Sequence, residues 1–339
     1  MRKSHKNGVI ITDLHLRDDI HPEYLEKQIE TLTTIVTSKK FDYILILGDI
    51  FEHRTSKSIV LLKFYEFLQS LKAERVIILR GNHDTVTKTD TTNSVLELFN
   101  NVAEVVADIK DIRLHHTDCT FIPHFEDEGI IANALKTAQN IVFGHFGIKG
   151  IHSTNGYAYD SFITTDHFPG KAYLGHIHKH QIHKDKVHVI GTQYTVNFGE
   201  ANQDKFYYEL RFNNDGSVDE YPKRLKHGIK HLNVHMHTLD KIYNQFNFGK
   251  FFTMLRVNLD ELDTFKEKKL RQKLKEKYKY DVLDLRFDNI LDKSSSSFTT
   301  NKKMFTINEG ILNTYIEEST SIFTDNELKD ALKKIYDFK

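Results

Sequence analysis

The side chains best suited to chemistry fall in five short clusters, each placed just after an apolar run typical of a buried strand. The clusters supply carboxylates, imidazoles and an amide, and four of the five contain glycine, which lets the chain turn sharply. They are Asp13-Leu14-His15, Gly48-Asp49, Gly81-Asn82-His83-Asp84, Gly144-His145 and Gly175-His176-Ile177-His178. Oxygen and imidazole donors of this kind suit divalent cations such as Mn²⁺, Zn²⁺ or Fe²⁺.

Parallel strands would bring these clusters to one place. The first 200 residues alternate short apolar strands with helical segments, which predicts an α/β fold, and later hairpins indicate mixed sheets. Ligands of open α/β sheets gather at the carboxyl ends of the strands, so five strand ends can share one site. A lone Asp-x-His or His-x-His pair more often lies on the surface or in a loop without binding a metal. The prediction of a metal site therefore depends on all five clusters occurring together.

Length and composition limit the class of protein. The 339 residues, of which 39% are hydrophobic, suffice for two domains with buried cores. Lys and Arg number 47, as do Asp and Glu, so a nucleic-acid binder must concentrate positive charge locally or obtain it from metals. The single cysteine, Cys119, excludes an internal disulfide and suits a reducing cytosol. No apolar run approaches the ~18 residues of a membrane span, so we expect a cytoplasmic protein (host cytoplasm if viral) without a membrane partner.

Taken in order, the clusters resemble the motifs of the calcineurin-like metallophosphoesterases, D-x-H, G-D, G-N-H-D, G-H and G-H-x-H. The resemblance covers roughly residues 8–200. It implies the metallophosphoesterase fold, in which two mixed β-sheets are sandwiched by helices. It also implies a hydrolase with two divalent metal ions, for which we expect Mn²⁺.

The same resemblance implies a role for each polar residue. One metal would be held by Asp13, His15, Asp49 and His178. The other would be held by Asp49, Asn82, His145 and His176, so that Asp49 bridges the two ions. The catalytic residues would be His83, which contacts the phosphate and protonates the leaving oxygen, and Asp84, which orients the His83 ring.

The segment around Asp49 gives a finer resemblance. Gly48-Asp49-Ile50-Phe51-Glu52 looks like the G-D-I-F-D run of the SbcD-type nucleases, whereas protein Ser/Thr phosphatases carry G-D-x-V-D-R-G and G-N-H-E. Glu52 stands at a position where some archaeal and eukaryotic nucleases have a functional histidine. An acidic residue at this position resembles the bacterial and phage-type members. The role of His53 stays open. This resemblance implies a DNA exonuclease and endonuclease of repair, recombination and replication.

The rest of the chain predicts further parts. We expect a catalytic domain at 1–204, a smaller α/β capping and DNA-binding domain at 205–290, a Ser-rich flexible linker at 291–303 and a helical tail at 304–339. The second domain opens with a hairpin signal, Asn213-Asn214-Asp215-Gly216. By the resemblance, the tail would bind the coiled coil of an SbcC-type ATPase. The apolar helix near Ile59–Leu71 would be a core helix or a homodimer contact.

Two questions stay open at this point. Residues 223–280 hold 15 Lys and Arg against 6 Asp and Glu, which fits either contact with DNA phosphates or a solvated helix face. The alternative function is that of a calcineurin-like phosphodiesterase acting on small molecules or cyclic nucleotides, although such an enzyme needs no capping domain or partner-binding tail. A non-catalytic assembly subunit is a third hypothesis, and the complete set of ligands argues against it.

Overall fold

Two six-stranded sheets contain most of the strands. The structure is a computed structural model. It describes residues 5–87, 93–154, 156–238, 241–242, 250–259, 272, 276 and 284–289. These residues belong to the first of two units of the chain, which spans Met1–Asn289. The expected linker at 291–303, the tail at 304–339 and most of the charged helix expected near 260–277 lie outside the described residues. Among the described helices, none has the length and apolar character needed to cross a membrane.

The first sheet combines a parallel half with an antiparallel hairpin. Its strands are β1 (His5–Ile11), β2 (Tyr43–Ile46), β3 (Arg75–Leu79), β4 (Glu104–Val106), β11 (Phe206–Asn213) and β12 (Val218–Arg224). The order is β12-β11-β1-β2-β3-β4, and β1 to β4 run parallel. The hairpin β11–β12, expected from the sequence to open the 205–290 domain, pairs with β1 instead, with Gly8 opposite Leu210. Strand pairing of the first sheet thus continues past residue 204.

The second sheet is also mixed. Its strands are β5 (Lys110–Leu114), β6 (Thr117–Ile122), β7 (Ile141–His145), β8 (Lys171–Gly175), β9 (Gln181–His183) and β10 (Val187–Val189). The order is β5-β6-β7-β8-β10-β9, with β5 and β9 antiparallel to their neighbours and the other pairs parallel. The prediction of mixed sheets is confirmed.

Alternating side chains make both faces of the sheets hydrophobic. In β2, Ile44 and Ile46 belong to the core that packs under α1 (Tyr24–Val36) and α2 (Ser58–Ser70), whereas Leu45 faces the second sheet. The outer face of the second sheet packs against α3 (Glu128–Leu135). The resulting layers, with helices outside two stacked sheets, are the fold expected from the sequence. The helix α2 lies where the apolar run near Ile59–Leu71 predicts it.

A third, smaller sheet lies within residues 228–289. It consists of β13 (Gly228–His235), β14 (Phe251–Leu259) and β15 (Asp284–Asn289), paired in parallel in that order. Ile229 of β13 joins the core under α1, and the β13 backbone contacts the segment after β10 through Thr195 and Asn202. The third sheet is therefore attached to the rest of the described residues through the core under α1 and the segment after β10.

The core between the two large sheets predicts a sharp loss of stability when one ring is removed. Phe143 is fully buried there and stacks between Phe121 at 4.9 Å and Tyr173 at 5.4 Å between ring centroids. We expect Phe143→Ala to lower the free energy of unfolding by about 3–5 kcal/mol, because it removes apolar contacts and leaves a cavity. Urea denaturation of the full chain measures this.

Phe162 provides the matched control for Phe143. Its side chain is 56% exposed, so Phe162→Ala should change the free energy of unfolding by only about 0.5 kcal/mol. Equal losses for the two variants would show that the inter-sheet core is not packed as described.

Candidate metal centre

The carboxyl ends of five strands, three of the first sheet and two of the second, converge on one site between the two large sheets. Asp13 follows β1, Asp49 follows β2, Asn82 follows β3, His145 ends β7, and His176 and His178 follow β8. His15 is placed beside Asp49 because its N–H donates to the Asp49 carbonyl oxygen at 3.0 Å. All seven metal ligands expected from the sequence are thus brought together by the fold.

The backbone is strained where it presents these groups. Asp13, His15, Asp49 and His176 all have positive φ angles, of 51°, 43°, 50° and 83°. Residues other than glycine rarely adopt this conformation, and such strain collects at functional sites. Gly81 permits a close approach of two loops, because a Cβ atom there would lie 2.2 Å from the backbone nitrogen of Asp49. The sequence thus uses glycine where two strand ends touch and accepts strain where a polar side chain is required.

Asp13, His15 and His178 form the first ligand group. One donor atom from each lies within 4.8 Å of the others. The Nε2 atoms of His15 and His178 are 2.9 Å apart, and Nε2 of His178 is 3.9 Å from Oδ1 of Asp13. Three donors therefore face a common point.

Asp49, His145 and His176 form the second ligand group, which meets the same distance limit. Nε2 of His145 lies 3.3 Å from Oδ1 of Asp49. The amide oxygen of Asn82 lies 2.9 Å from Nδ1 of His176 and 3.3 Å from Nε2 of His145. The amide oxygen of Asn82 thus adds a fourth donor beside the second ligand group.

The carboxylate of Asp49 lies between the two groups. Its Oδ1 faces the second ligand group, and its Oδ2 is 3.9 Å from Nε2 of His15 in the first ligand group. The backbone N–H of His83 donates to Oδ1 at 2.8 Å and fixes the carboxylate plane. Burial alone would raise the pKa of Asp49, but His145, His15 and His83 hold that pKa well below its usual range. An ionised carboxylate with two separated oxygens is suited to bridging two cations.

Charge at the centre also favours cations. Burial would lower the pKa of His15, but Glu52, Asp49 and Asp13 outweigh it and raise the pKa to about 9. The pKa of His145 is likewise raised to about 9 against burial, chiefly by Asp49. The carboxylates thus attract positive charge to the place where the donor atoms meet. Oxygen and imidazole donors without a thiolate fit two hard or borderline divalent ions, so the residues present fit the expected metals.

His83 and Asp84 differ from expectation in their contacts. Asp84, expected to orient the His83 ring, instead accepts from the backbone N–H groups of Ile50 and Gly81 at 2.9 Å each. Burial and the charge of Asp49 raise the pKa of Asp84 to about 6. The ring Nδ1 of His83 is 2.7 Å from the carbonyl oxygen of Glu52. Asp84 therefore joins two strand-end loops, and Glu52 orients the ring.

The ligands rest on a second set of contacts that the sequence does not reveal. Nδ1 of His15 lies 3.0 Å from the Glu52 carboxylate, and Nδ1 of His178 lies 2.6 Å from Glu200. Nε2 of His176 is 3.2 Å from the hydroxyl of Tyr159. Glu52 could be found from its position in the G-D motif, but Glu200 and Tyr159 follow no fixed spacing that marks them.

An open cleft of about 210 Å³ gives access to the centre. Its lining comprises His15, Arg17, Asp49, Glu52, Asn82, His83, His176, His178, Val196 and Asn197. His53, whose role the sequence left open, is 53% exposed and lies outside this lining, with Nε2 3.2 Å from Asp19. Nothing in its contacts assigns it to the chemistry.

The chain was compared with solved structures, curated proteins and protein-family models. Three solved structures with distant similarity are a novel archaeal phosphodiesterase, the nuclease MPE of Pseudomonas putida and a protein of unknown function from Aquifex aeolicus. In that order, their sequence identities to this chain are 15%, 13% and 17%, and their TM-scores are 0.34, 0.28 and 0.28. The similarity covers 64%, 64% and 46% of this chain and 99%, 87% and 82% of theirs.

The search of curated proteins found no match to this chain. The family model for calcineurin-like phosphoesterases matches residues 9–283, which include every cluster and all of both large sheets except the first four residues of β1. The chain therefore belongs to the calcineurin-like phosphoesterase family.

Proposed function

We propose that this protein is a metal-dependent DNA exonuclease and endonuclease, the nuclease subunit of an SbcCD-like repair and recombination complex. The observation that carries the proposal is the pair of ligand groups on either side of the Asp49 carboxylate, which lines an open cleft. The chain has no net charge with which to offset the negative phosphodiester. Two divalent cations at this site would offset it. The run Gly48-Asp49-Ile50-Phe51-Glu52 supports DNA as the substrate within the family.

The proposed ions are held as the motifs imply. Asp13, His15, Asp49 and His178 would hold one ion, and Asp49, Asn82, His145 and His176 would hold the other, with Mn²⁺ as the expected metal. Bound there, divalent ions would lower the pKa of water and stabilise the charge that develops as the phosphodiester is displaced. The contribution of the chain is to keep seven donors pre-arranged, which the strained loops and the contacts behind the histidines achieve.

His83 is the residue that we assign to proton transfer. Its ring lines the cleft, and its Nδ1–H donates to the Glu52 carbonyl, so in the doubly protonated ring Nε2–H would give its proton to the leaving oxygen and Nδ1–H would stay in place. Asp84 acts through other residues, because its carboxylate holds the loops that carry Asp49 and Asn82 at a fixed separation. We therefore assign Asp84 a positioning role.

The partners that we propose with this activity are DNA, an SbcC-type coiled-coil ATPase and a second copy of the chain. The family resemblance of the sequence supports them. The segment expected to bind the ATPase, 304–339, lies outside the described residues. The third sheet, β13-β14-β15, lies in the region expected to form the capping and DNA-binding domain at 205–290.

The substrate class can be tested on the purified full chain. We expect cleavage of linear duplex and single-stranded DNA with Mn²⁺ and none with EDTA, because the ions supply the charge stabilisation. Asp49→Asn, which removes the charge shared by both ligand groups, should be inactive under the same conditions. Rapid hydrolysis of cyclic nucleotides or of bis(p-nitrophenyl) phosphate, with DNA left intact, would instead establish the small-molecule phosphodiesterase.

The role of His83 predicts a separation between metal binding and turnover. His83→Ala should lower the rate of DNA cleavage by about 10²–10⁴-fold, the usual cost of losing a general acid. The metal content, measured by plasma mass spectrometry after dialysis against Mn²⁺, should stay unchanged, because the His83 ring belongs to neither ligand group.

His116→Ala is the control for this substitution, since His116 is exposed in the turn between β5 and β6. It should keep both activity and metal. Loss of metal in His83→Ala would move His83 from proton transfer to the metal centre, and near-normal turnover would remove it from the mechanism.

A further inference from the structure

A buried ion pair lies directly behind the first ligand group. Glu200 is fully buried and Lys205 is 4% exposed. The ammonium group of Lys205 donates to Oε2 of Glu200 at 2.6 Å and to the hydroxyl oxygen of Thr192 at 2.7 Å. The hydroxyl of Thr192 and the backbone N–H of Val196 also lie near Oε2, at 3.1 and 3.3 Å. One carboxylate oxygen of Glu200 is thus held from three directions.

The other oxygen of Glu200 reaches a metal ligand. Oε1 accepts from Nδ1 of His178 at 2.6 Å. This contact places the ring proton on Nδ1, and Nε2 then faces the first ligand group, 2.9 Å from Nε2 of His15. Lys205 also donates to the backbone carbonyl of His178 at 3.1 Å. Both the ring and the backbone of His178 are therefore fixed by the same ion pair.

The energetics of burial argue that the pair serves more than stability. Removing two charges from water is expensive, and a buried ion pair often stabilises a protein no more than apolar side chains would. Burial would raise the pKa of Glu200, but Lys205 and His178 outweigh it and lower the pKa to about 2. Burial lowers the pKa of Lys205 against the attraction of Glu200. We take both groups as charged, because the ammonium donates to three oxygens within 3.1 Å.

The second ligand group is supported differently. Nδ1 of His145 is 2.6 Å from the backbone carbonyl of Leu47, and Nε2 of His176 is 3.2 Å from the Tyr159 hydroxyl. Both contacts are to neutral oxygens, whereas the two histidines of the first ligand group contact carboxylates of Glu52 and Glu200. A carboxylate behind a ligand histidine fixes the ring and strengthens the nitrogen donor. A change at Glu200 should therefore affect the two metal positions unequally.

We propose that Glu200, backed by Lys205, is a positioning residue that aims Nε2 of His178 and so sets the metal affinity of the first ligand group without altering that of the second. This inference rests on the metal assignment made in the proposed function. It adds to that assignment an ion pair that lies outside the five clusters.

The test is a Mn²⁺ titration of the full chain by isothermal calorimetry. Glu200→Ala with Lys205→Met removes both charges together, so neither is left buried and unpaired. Loss of a contact behind a ligand histidine typically costs about 10–100-fold in metal affinity, so we expect that loss at one of two binding events. The other event should keep its wild-type affinity. Glu200→Gln with Lys205→Met restores an acceptor for His178 and should recover most of the lost affinity, which a purely structural role would not predict.

A second ion pair offers the matched control. Glu220 and Lys171 also pair across elements and lie near a histidine, His188, that is not a metal ligand. Glu220→Ala with Lys171→Met should leave both binding events unchanged. A double-mutant cycle adds a check: in a His178→Ala background, the Glu200 and Lys205 substitutions should cause no further loss of Mn²⁺ affinity.

The outcomes separate this inference from the proposal beneath it. If the wild-type chain binds no Mn²⁺, the metal assignment fails and the inference fails with it. If the wild type binds two ions and the Glu200→Ala, Lys205→Met variant binds both equally well, only the positioning role is overturned. Equal weakening at both positions in a variant with wild-type circular dichroism would overturn the selectivity, and so would additive losses in the His178→Ala background.

Discussion

The carboxylate of Asp49 is the group on which both ligand groups depend, because each of its oxygens faces a different one. Holding it there requires a left-handed backbone at Asp49 and a neighbouring Gly81 without a side chain. It also requires the parallel register of β1, β2 and β3, which brings their carboxyl ends level. The first sheet thus positions the Asp49 carboxylate between the two ligand groups.

The second sheet completes the centre and makes it asymmetric. The N–H of His176 donates to both oxygens of Asp13, so a strand end of one sheet is tied directly to a strand end of the other. The segment after β10 then supports His178 through Glu200, and the same segment contacts β13 through Thr195 and Asn202. The third sheet is thus linked to His178 through the segment that carries Glu200. The contacts on His145 and His176 do not pass through this segment.

The sequence predicts the fold well, and the seven expected ligands lie together in it, because both depend on local patterns. Strand ends followed by Asp, Asn and His are short motifs, and parallel strands place such ends together without further information. The hairpin β11–β12 was also predicted, but its pairing with β1 was not, since strand order depends on contacts distant in sequence.

The contacts behind the ligands could not be predicted for the same reason. Asp84 was expected at the His83 ring from its position in the motif, yet the ring meets the Glu52 carbonyl, and a backbone acceptor leaves no trace in residue type. Glu200 and Lys205 look like ordinary surface charges in the sequence. Only the packing of Thr192 and Val196 around them shows that they are buried.

The central claim is that two metal positions share Asp49, and anomalous diffraction at the manganese edge from crystals grown with Mn²⁺ tests it most directly. The account predicts two anomalous peaks, one within the first ligand group and one within the second, with a different oxygen of Asp49 beside each. No peak at the cleft, or a single peak that Asp49 does not contact, would contradict it.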